Sequence, residues 1–258
     1  MFLKELRIIL EEIKKNTSLK EFFIDDSIKI KENFKFEINP NFSNDIIFKE
    51  DTYLELGGPN NASTSIILPT NDEADLKNII NNKITLIGPN IRESKENNLD
   101  FGQIFIMGGK NILEISLKDL DRKTRLINYL EGYMIKATPR KLWTRVSKSI
   151  VEKGFDFEAL GKAFFILLKE SIPEIEVMEI IFITSNKDDI KKFDNFNSLI
   201  YKKYGVSKTI QYLEKYQELV KKREDCGFEW DCNTCDYTSI CDEIDDLIAR
   251  MKKFRKNN

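Results

Sequence analysis

Apolar and polar positions alternate along this chain in two rhythms, and together they predict an α/β fold. Residues 2–15 place Phe2, Leu6 and Ile13 on one helical stripe with charged residues on the other side. Between residues 28 and 38 the apolar residues fall at even positions, which predicts one or two strands with a single buried face.

From about residue 46, short apolar runs alternate with helical patterns. The runs are bounded by turn residues and rich in β-branched side chains, which is typical of buried strands. Their sequences are SIILP, KITLI, QIFIM and EIIFI. Between and after them the periodicity predicts helices at 117–136, 141–153, 158–171, 206–224 and 241–256.

This pattern predicts an α/β protein, with α+β as the alternative, in which helices pack on a sheet. We expect three parts. Residues 1–45 form an N-terminal extension of helix and strand, residues 46–205 form the α/β domain, and residues 206–258 form a small helical module rich in cysteine.

The charge balance favours neither nucleic acid nor a membrane surface as a partner. The chain has 41 basic and 43 acidic residues, for a net charge of -2. It has no apolar run of about eighteen residues, so we expect no membrane span. The N-terminal stretch carries acidic residues and does not resemble a signal peptide, so a cytoplasmic location is expected.

All four cysteines lie in one short segment, at Cys226, Cys232, Cys235 and Cys241. In a cytoplasmic protein such a cluster indicates a metal site rather than disulfides. Four thiolates match a 4Fe–4S cluster or a tetrahedral zinc ion, and the chain has no histidine. We expect the iron–sulfur cluster, with zinc as the alternative; free cysteines in a small helical cap are the structural alternative.

A second candidate site is the basic segment 139–148, which contains Arg140, Trp143 and Arg145. Guanidinium groups bind phosphate and an indole stacks on rings, so a ligand with both groups would suit the segment. An amphipathic helix with a half-buried tryptophan is the competing interpretation, and composition alone favours it. The glycines Gly57 and Gly58 indicate a tight turn rather than a phosphate loop, since no P-loop lysine follows. No set of catalytic residues stands out.

Several segments, taken in order, resemble the middle part of the acetyl-CoA synthase subunit, the beta subunit of the CO dehydrogenase/acetyl-CoA synthase complex. They lie at residues 50–65, 83–91, 126–134, 142–165 and 179–184. That family assembles acetyl-CoA from CO, a corrinoid-borne methyl group and coenzyme A at a nickel–iron–sulfur centre in a separate C-terminal domain. The resemblance implies an α/β middle domain and a role in coenzyme A binding for Trp143 and Arg145, and we add Arg140 of the same basic segment as a third candidate.

The sequence also departs from that family. Cys232 and Cys235 take a place comparable to the first cysteine pair of the family's cluster, but Cys241 follows too closely, and the Cys-Gly-Cys nickel ligands have no counterpart. We therefore expect a short iron–sulfur relative acting in binding, electron transfer or assembly. Its partners would be components of the CO dehydrogenase/acetyl-CoA synthase complex or a corrinoid protein. The alternatives are one subunit of a split synthase, inactive alone, and a zinc-stabilised interaction protein.

Overall fold

A computed structural model of the chain describes residues 2–15, 17–24, 27–42, 47–58, 60–135 and 142–204. Residues 1–201 form one compact unit; residues 202–258 form a second, nearly all of which lies outside the described residues. The described helices are α1 (Phe2–Lys14), α2 (Ser27–Asn33), α3 (Glu73–Asn78), α4 (Leu117–Thr124), α5 (Lys148–Glu152), α6 (Phe157–Ser171) and α7 (Lys187–Tyr204). The described strands are β1 (Leu19–Phe23), β2 (Thr52–Gly57), β3 (Ser63–Thr70), β4 (Lys83–Ile87), β5 (Asn98–Leu99), β6 (Phe101–Gly108), β7 (Tyr133–Ile135), β8 (Trp143–Ser147) and β9 (Val177–Ile183).

The strands form two sheets, and the predicted α/β class is confirmed. The larger sheet has the order β1-β4-β9-β6-β3. Strand β4 runs parallel to β9 and β3 parallel to β6, while β1–β4 and β6–β9 are antiparallel. The smaller sheet has the order β5-β2-β8-β7, with only the β2–β5 pair parallel.

The four apolar runs predicted as strands are strands of the larger sheet. Their side chains are buried almost without interruption because the sheet is covered rather than half solvated. Helix α6 lies against this sheet so closely that a Cβ added at Gly161 would lie 2.5 Å from Ile84. Three rings pack together where the helix meets the sheet, with centroids 5.2–6.1 Å apart: Phe101, Phe157 and Phe182.

The strand predicted at residues 28–38 is wrong. Residues 27–33 form helix α2, in which Ile30 is buried but Ile28 is 70% exposed. Beyond the helix, the Phe36 ring packs on Phe155 with centroids 5.1 Å apart. The apolar residues of this segment therefore meet different surroundings, and their even spacing does not reflect one buried face. The N-terminal strand lies earlier, at β1.

Helix α1 is fixed to the larger sheet by a buried ion pair. Both guanidinium Nη atoms of Arg7 donate to the carboxylate of Glu179 on β9, at 2.9 and 2.5 Å. Glu179 is 1% exposed and Arg7 is 29% exposed. The hydrogen bonds from Arg7 to Glu179 raise the pKa of Arg7, against the opposing effect of burial.

Two predicted helices are also shorter than expected. Residues 117–136 begin as helix α4, but a 3-10 turn at Arg125–Tyr129 and strand β7 follow. In the segment 141–153, strand β8 precedes helix α5, so the basic segment is not the predicted amphipathic helix. Aromatic and β-branched residues (Trp143, Thr144, Val146) favour a strand, and Ser147 caps α5 by accepting a hydrogen bond from the Ile150 N–H. None of the described helices is long and apolar enough to cross a membrane.

Candidate ligand-binding face of the second sheet

Trp143 and Arg145 lie on one face of the smaller sheet, because residues two apart on a strand point the same way. Glu55 on β2 is the direct cross-strand partner of Arg145 and joins them on that face. All three side chains are half-buried. The alternate residues of the two strands are fully buried on the opposite face: Leu54, Leu56, Thr144 and Val146.

Arg145 is held by two hydrogen bonds. Its Nε donates to Oε1 of Glu55 at 2.8 Å, and its Nη1 donates to the backbone carbonyl of Ile47 at 3.0 Å. The side chain is 12% exposed, against 25% for Glu55. Because a guanidinium carries five N–H groups, two engaged groups leave three for other acceptors.

The indole of Trp143 lies close to the guanidinium of Arg145 and to the backbone of Gly58. The guanidinium carbon of Arg145 is 5.3 Å from the ring centroid, which is cation–π distance. A Cβ added at Gly58 would lie 3.1 Å from the indole, so this glycine allows the ring to approach the backbone. Both neighbours therefore pack against the Trp143 ring.

The chain leaves β2 through two glycines, at the place where the sequence predicts a tight turn. Gly57 and Gly58 have φ angles of 70° and 103°, which favour glycine. The Gly58 N–H donates to the Leu142 carbonyl at 3.2 Å, and a Cβ at Gly57 would lie 2.1 Å from that same oxygen. The turn therefore closes on the chain itself at Leu142 and does not present this N–H to a phosphate.

Arg140 and the four cysteines Cys226, Cys232, Cys235 and Cys241 lie outside the described residues. Within the described ranges, no three acidic, histidine or cysteine side chains converge as metal ligands would. The iron–sulfur and zinc interpretations therefore stay predictions.

Sequence reasoning missed Glu55 and the carbonyl of Ile47, although both bind Arg145. Glu55 and Arg145 are 90 residues apart, and only the pairing of β2 with β8 brings them together. The sequence carried one usable signal. A charged residue inside an apolar strand pattern, Glu55 between Leu54 and Leu56, is expected on the open face of a sheet.

Comparison with known proteins agrees with the resemblance. Residues 34–189 match the model of the CdhC family, described as CO dehydrogenase/acetyl-CoA synthase complex beta subunit. Acetyl-CoA decarbonylase/synthase complex subunit beta 1 of Methanosarcina mazei is 35% identical over 162 residues, 62% of this chain and 33% of that protein. The subunit beta of Archaeoglobus fulgidus is 31% identical over 188 residues, 68% of this chain and 34% of that protein.

The chain thus spans about a third of the length of these curated relatives. The matched stretch contains both sheets except for strand β1, and it includes the whole Trp143–Arg145 face. By this match over more than half of its residues, the chain belongs to the family of the CO dehydrogenase/acetyl-CoA synthase complex beta subunit.

Proposed function

We propose that this protein binds coenzyme A and carries a 4Fe–4S cluster, and that it acts in binding, electron transfer or assembly within acetyl-CoA metabolism. The observation that carries the proposal is the half-buried face of Trp143 and Arg145 inside the stretch that matches the family. Its relatives are named as beta subunits of the acetyl-CoA decarbonylase/synthase complex.

The chemistry of this face suits coenzyme A. The ligand carries phosphate groups and an adenine ring, and guanidinium is the side chain best matched to phosphate. Three N–H groups of Arg145 remain for phosphate oxygens, and the adjacent indole offers an aromatic edge or face. Arg140, five residues before Arg145, would add a second guanidinium in this proposal.

Fluorescence tests this part directly. The chain has two tryptophans, so a Trp230→Phe background leaves Trp143 as the sole indole reporter. We expect coenzyme A to change its emission, and Arg145→Ala to weaken binding roughly tenfold or more through loss of a charge-assisted contact. Arg122→Ala is the matched control, since Arg122 is 74% exposed and pairs with Asp119 on its own helix. An emission unchanged up to millimolar coenzyme A would refute the proposal.

The four cysteines are proposed to hold the cluster, because four thiolates without any histidine form a donor set that a 4Fe–4S cluster accepts. When bound, such a cluster supplies one-electron transfer. Anaerobic purification followed by iron, sulfide and zinc analysis is the test, with about four iron and four sulfide expected per chain. Replacing both Cys232 and Cys235 with serine should abolish the bound iron and the bound sulfide. Stoichiometric zinc without iron would contradict the cluster and favour the zinc-stabilised interaction protein.

A second candidate function is one subunit of a split synthase, favoured by the match of residues 34–189 to the model of the complex's beta subunit. In that case its partners are other components of the complex or a corrinoid protein, and the chain alone makes no acetyl-CoA. An adjacent gene that encodes the cysteine-rich domain of the family, and acetyl-CoA formation only when both proteins are combined, would support it. Turnover by the isolated chain would contradict it.

A further inference from the structure

We infer that Glu55 is a built-in competitor for the anion site of Arg145, and that it restricts this site to ligands with two or more negative charges on phosphate. The inference rests on the proposed function, because it concerns the same face. It assigns a role to a residue that neither the sequence pattern nor the family match singled out. The basis is the way the guanidinium is already occupied.

A guanidinium binds an oxyanion in a fork, with two neighbouring nitrogens donating together. One such edge is formed by Nε and Nη2, the other by Nη1 and Nη2. In this structure Nε donates to Glu55 and Nη1 donates to the Ile47 carbonyl. The single N–H of Nε is therefore taken by Glu55, whereas Nη1 keeps a second N–H besides the one donated to Ile47. A phosphate that binds in a fork on the Nε–Nη2 edge must take the place of Glu55.

The two acceptors differ in how readily they can leave. The Ile47 oxygen belongs to the backbone of a residue that is 6% exposed, so moving it requires moving the chain. Glu55 contacts Arg145 through a single carboxylate oxygen, and its side chain is 25% exposed. Rotation of that side chain into water frees the Nε–Nη2 edge without disturbing the β2–β8 pairing, which is made by the backbone.

This exchange selects the ligand. An arriving anion must compete with one carboxylate charge and then remain near it, since Glu55 stays on the strand beside Arg145. A singly charged carboxylate ligand gains little by the exchange, because it replaces a group of its own kind. A phosphate monoester or diphosphate carries more charge and more acceptor oxygens, so it competes better.

The test is to remove the carboxylate charge and keep its shape. In Glu55→Gln the amide oxygen can still accept from Arg145, but the competing charge is gone. Like charges within a few ångströms at the protein surface repel each other, so we expect coenzyme A to bind at least about tenfold more tightly once the charge is gone. Acetate should also gain affinity in this variant, because it no longer has to displace a carboxylate of its own charge.

Two controls keep the result interpretable. Glu170→Gln removes the same charge from helix α6, where Glu170 is 55% exposed and pairs with Lys31, and it should leave the affinity unchanged. If Glu55→Gln does not fold, Glu55→Thr replaces the charge with a residue that favours strands. Thermal unfolding of each variant establishes that it is folded before titration.

The outcomes separate this inference from the proposed function. Tighter binding by the Glu55 variants, but not by Glu170→Gln, supports the inference and the proposed function together. This includes the case where the wild type binds too weakly to measure. Equal or weaker binding in the Glu55 variants, with clear binding by the wild type, overturns the inference and leaves the proposed function standing. Absence of binding by the wild type and by both Glu55 variants overturns the two together.

Discussion

Removing Arg7 should destabilise the protein far more than removing any surface lysine. Both oxygens of Glu179 accept hydrogen bonds from Arg7, and Glu179 is 1% exposed. In Arg7→Met the apolar stem remains while the buried carboxylate loses its partner. Breaking a fully buried ion pair from one side destabilises by about 3–5 kcal/mol.

Two features of the structure lower that figure. Arg7 is 29% exposed, so water can reach the carboxylate once the guanidinium is gone. Lys83 is the residue paired with Glu179 across β4 and β9, and it can offer a second cation, although it binds Glu21 at 2.6 Å in the intact protein. We therefore expect a loss of about 2–4 kcal/mol in the free energy of unfolding.

Urea unfolding followed by circular dichroism measures this loss, and for a chain of this size the melting temperature should fall by roughly 5–15 °C. Lys14→Met is the matched control, because Lys14 lies on the same helix in an exposed pair with Glu11 and should change stability by less than about 1 kcal/mol. The double variant Arg7→Met/Glu179→Met should recover much of the loss, since no charge is then left buried. The reasoning would be refuted if Arg7→Met behaved like Lys14→Met, or if the double variant were no more stable than Arg7→Met.

Three further predictions follow from close packing and burial. Gly58→Ala should destabilise the protein by about 1–3 kcal/mol, because the φ angle of Gly58 is 103°. It should also shift the emission of Trp143, because the added Cβ would lie 3.1 Å from the indole. Unchanged emission in a Trp230→Phe background would contradict this prediction. Tyr133→Phe should change the free energy of unfolding by no more than about 1 kcal/mol at pH 8, since the Thr144 hydroxyl gives the buried tyrosine hydroxyl at most a weak hydrogen bond. Burial raises the pKa of Tyr133, so above about pH 10 the tyrosine ionises in the unfolded chain before it ionises in the folded one, and the wild type loses stability there. The variant should lose less stability over the same pH range. Melting curves of both proteins at pH 8 and pH 10.5 check the two points. Gly161→Ala should lower the free energy of unfolding by about 1–3 kcal/mol despite the better helix propensity of alanine, because the added Cβ would lie 2.5 Å from Ile84. Adding Ile84→Val should raise the urea midpoint part of the way back. If the losses of the two substitutions simply add, the packing explanation is wrong.

How far the sequence predicts this fold depends on how much of the signal is local. The apolar runs 84–87 and 180–183 are long, uniform and bounded by turns, so their strands were predicted correctly. The segment 28–38 was not, because alternation over a few residues fits a strand as well as a short helix whose apolar residues meet different neighbours. Packing on Phe155 decides between them, and that contact joins residues more than 100 positions apart in the chain.

The candidate site shows the same limit. Trp143 and Arg145 were singled out by residue type, which a sequence displays directly. Their placement on a strand and the pairing of Arg145 with Glu55 depend on the alignment of β2 with β8, which no local pattern specifies. Composition therefore pointed to Trp143 and Arg145 but not to the carboxylate of Glu55 that binds Arg145.

The ion pair between Arg7 and Glu179 also constrains the order of events during synthesis. Its two members are 172 residues apart, so helix α1 leaves the ribosome long before its anchoring strand exists. Strand β1 must wait as well, for β4 more than 60 residues later. The apolar stripe of α1 is thus exposed on the nascent chain until about residue 183 has emerged, a period in which a chaperone could bind it. A ribosome stalled just before β9 should hold a protease-sensitive N-terminus, and one stalled well beyond it a protected one.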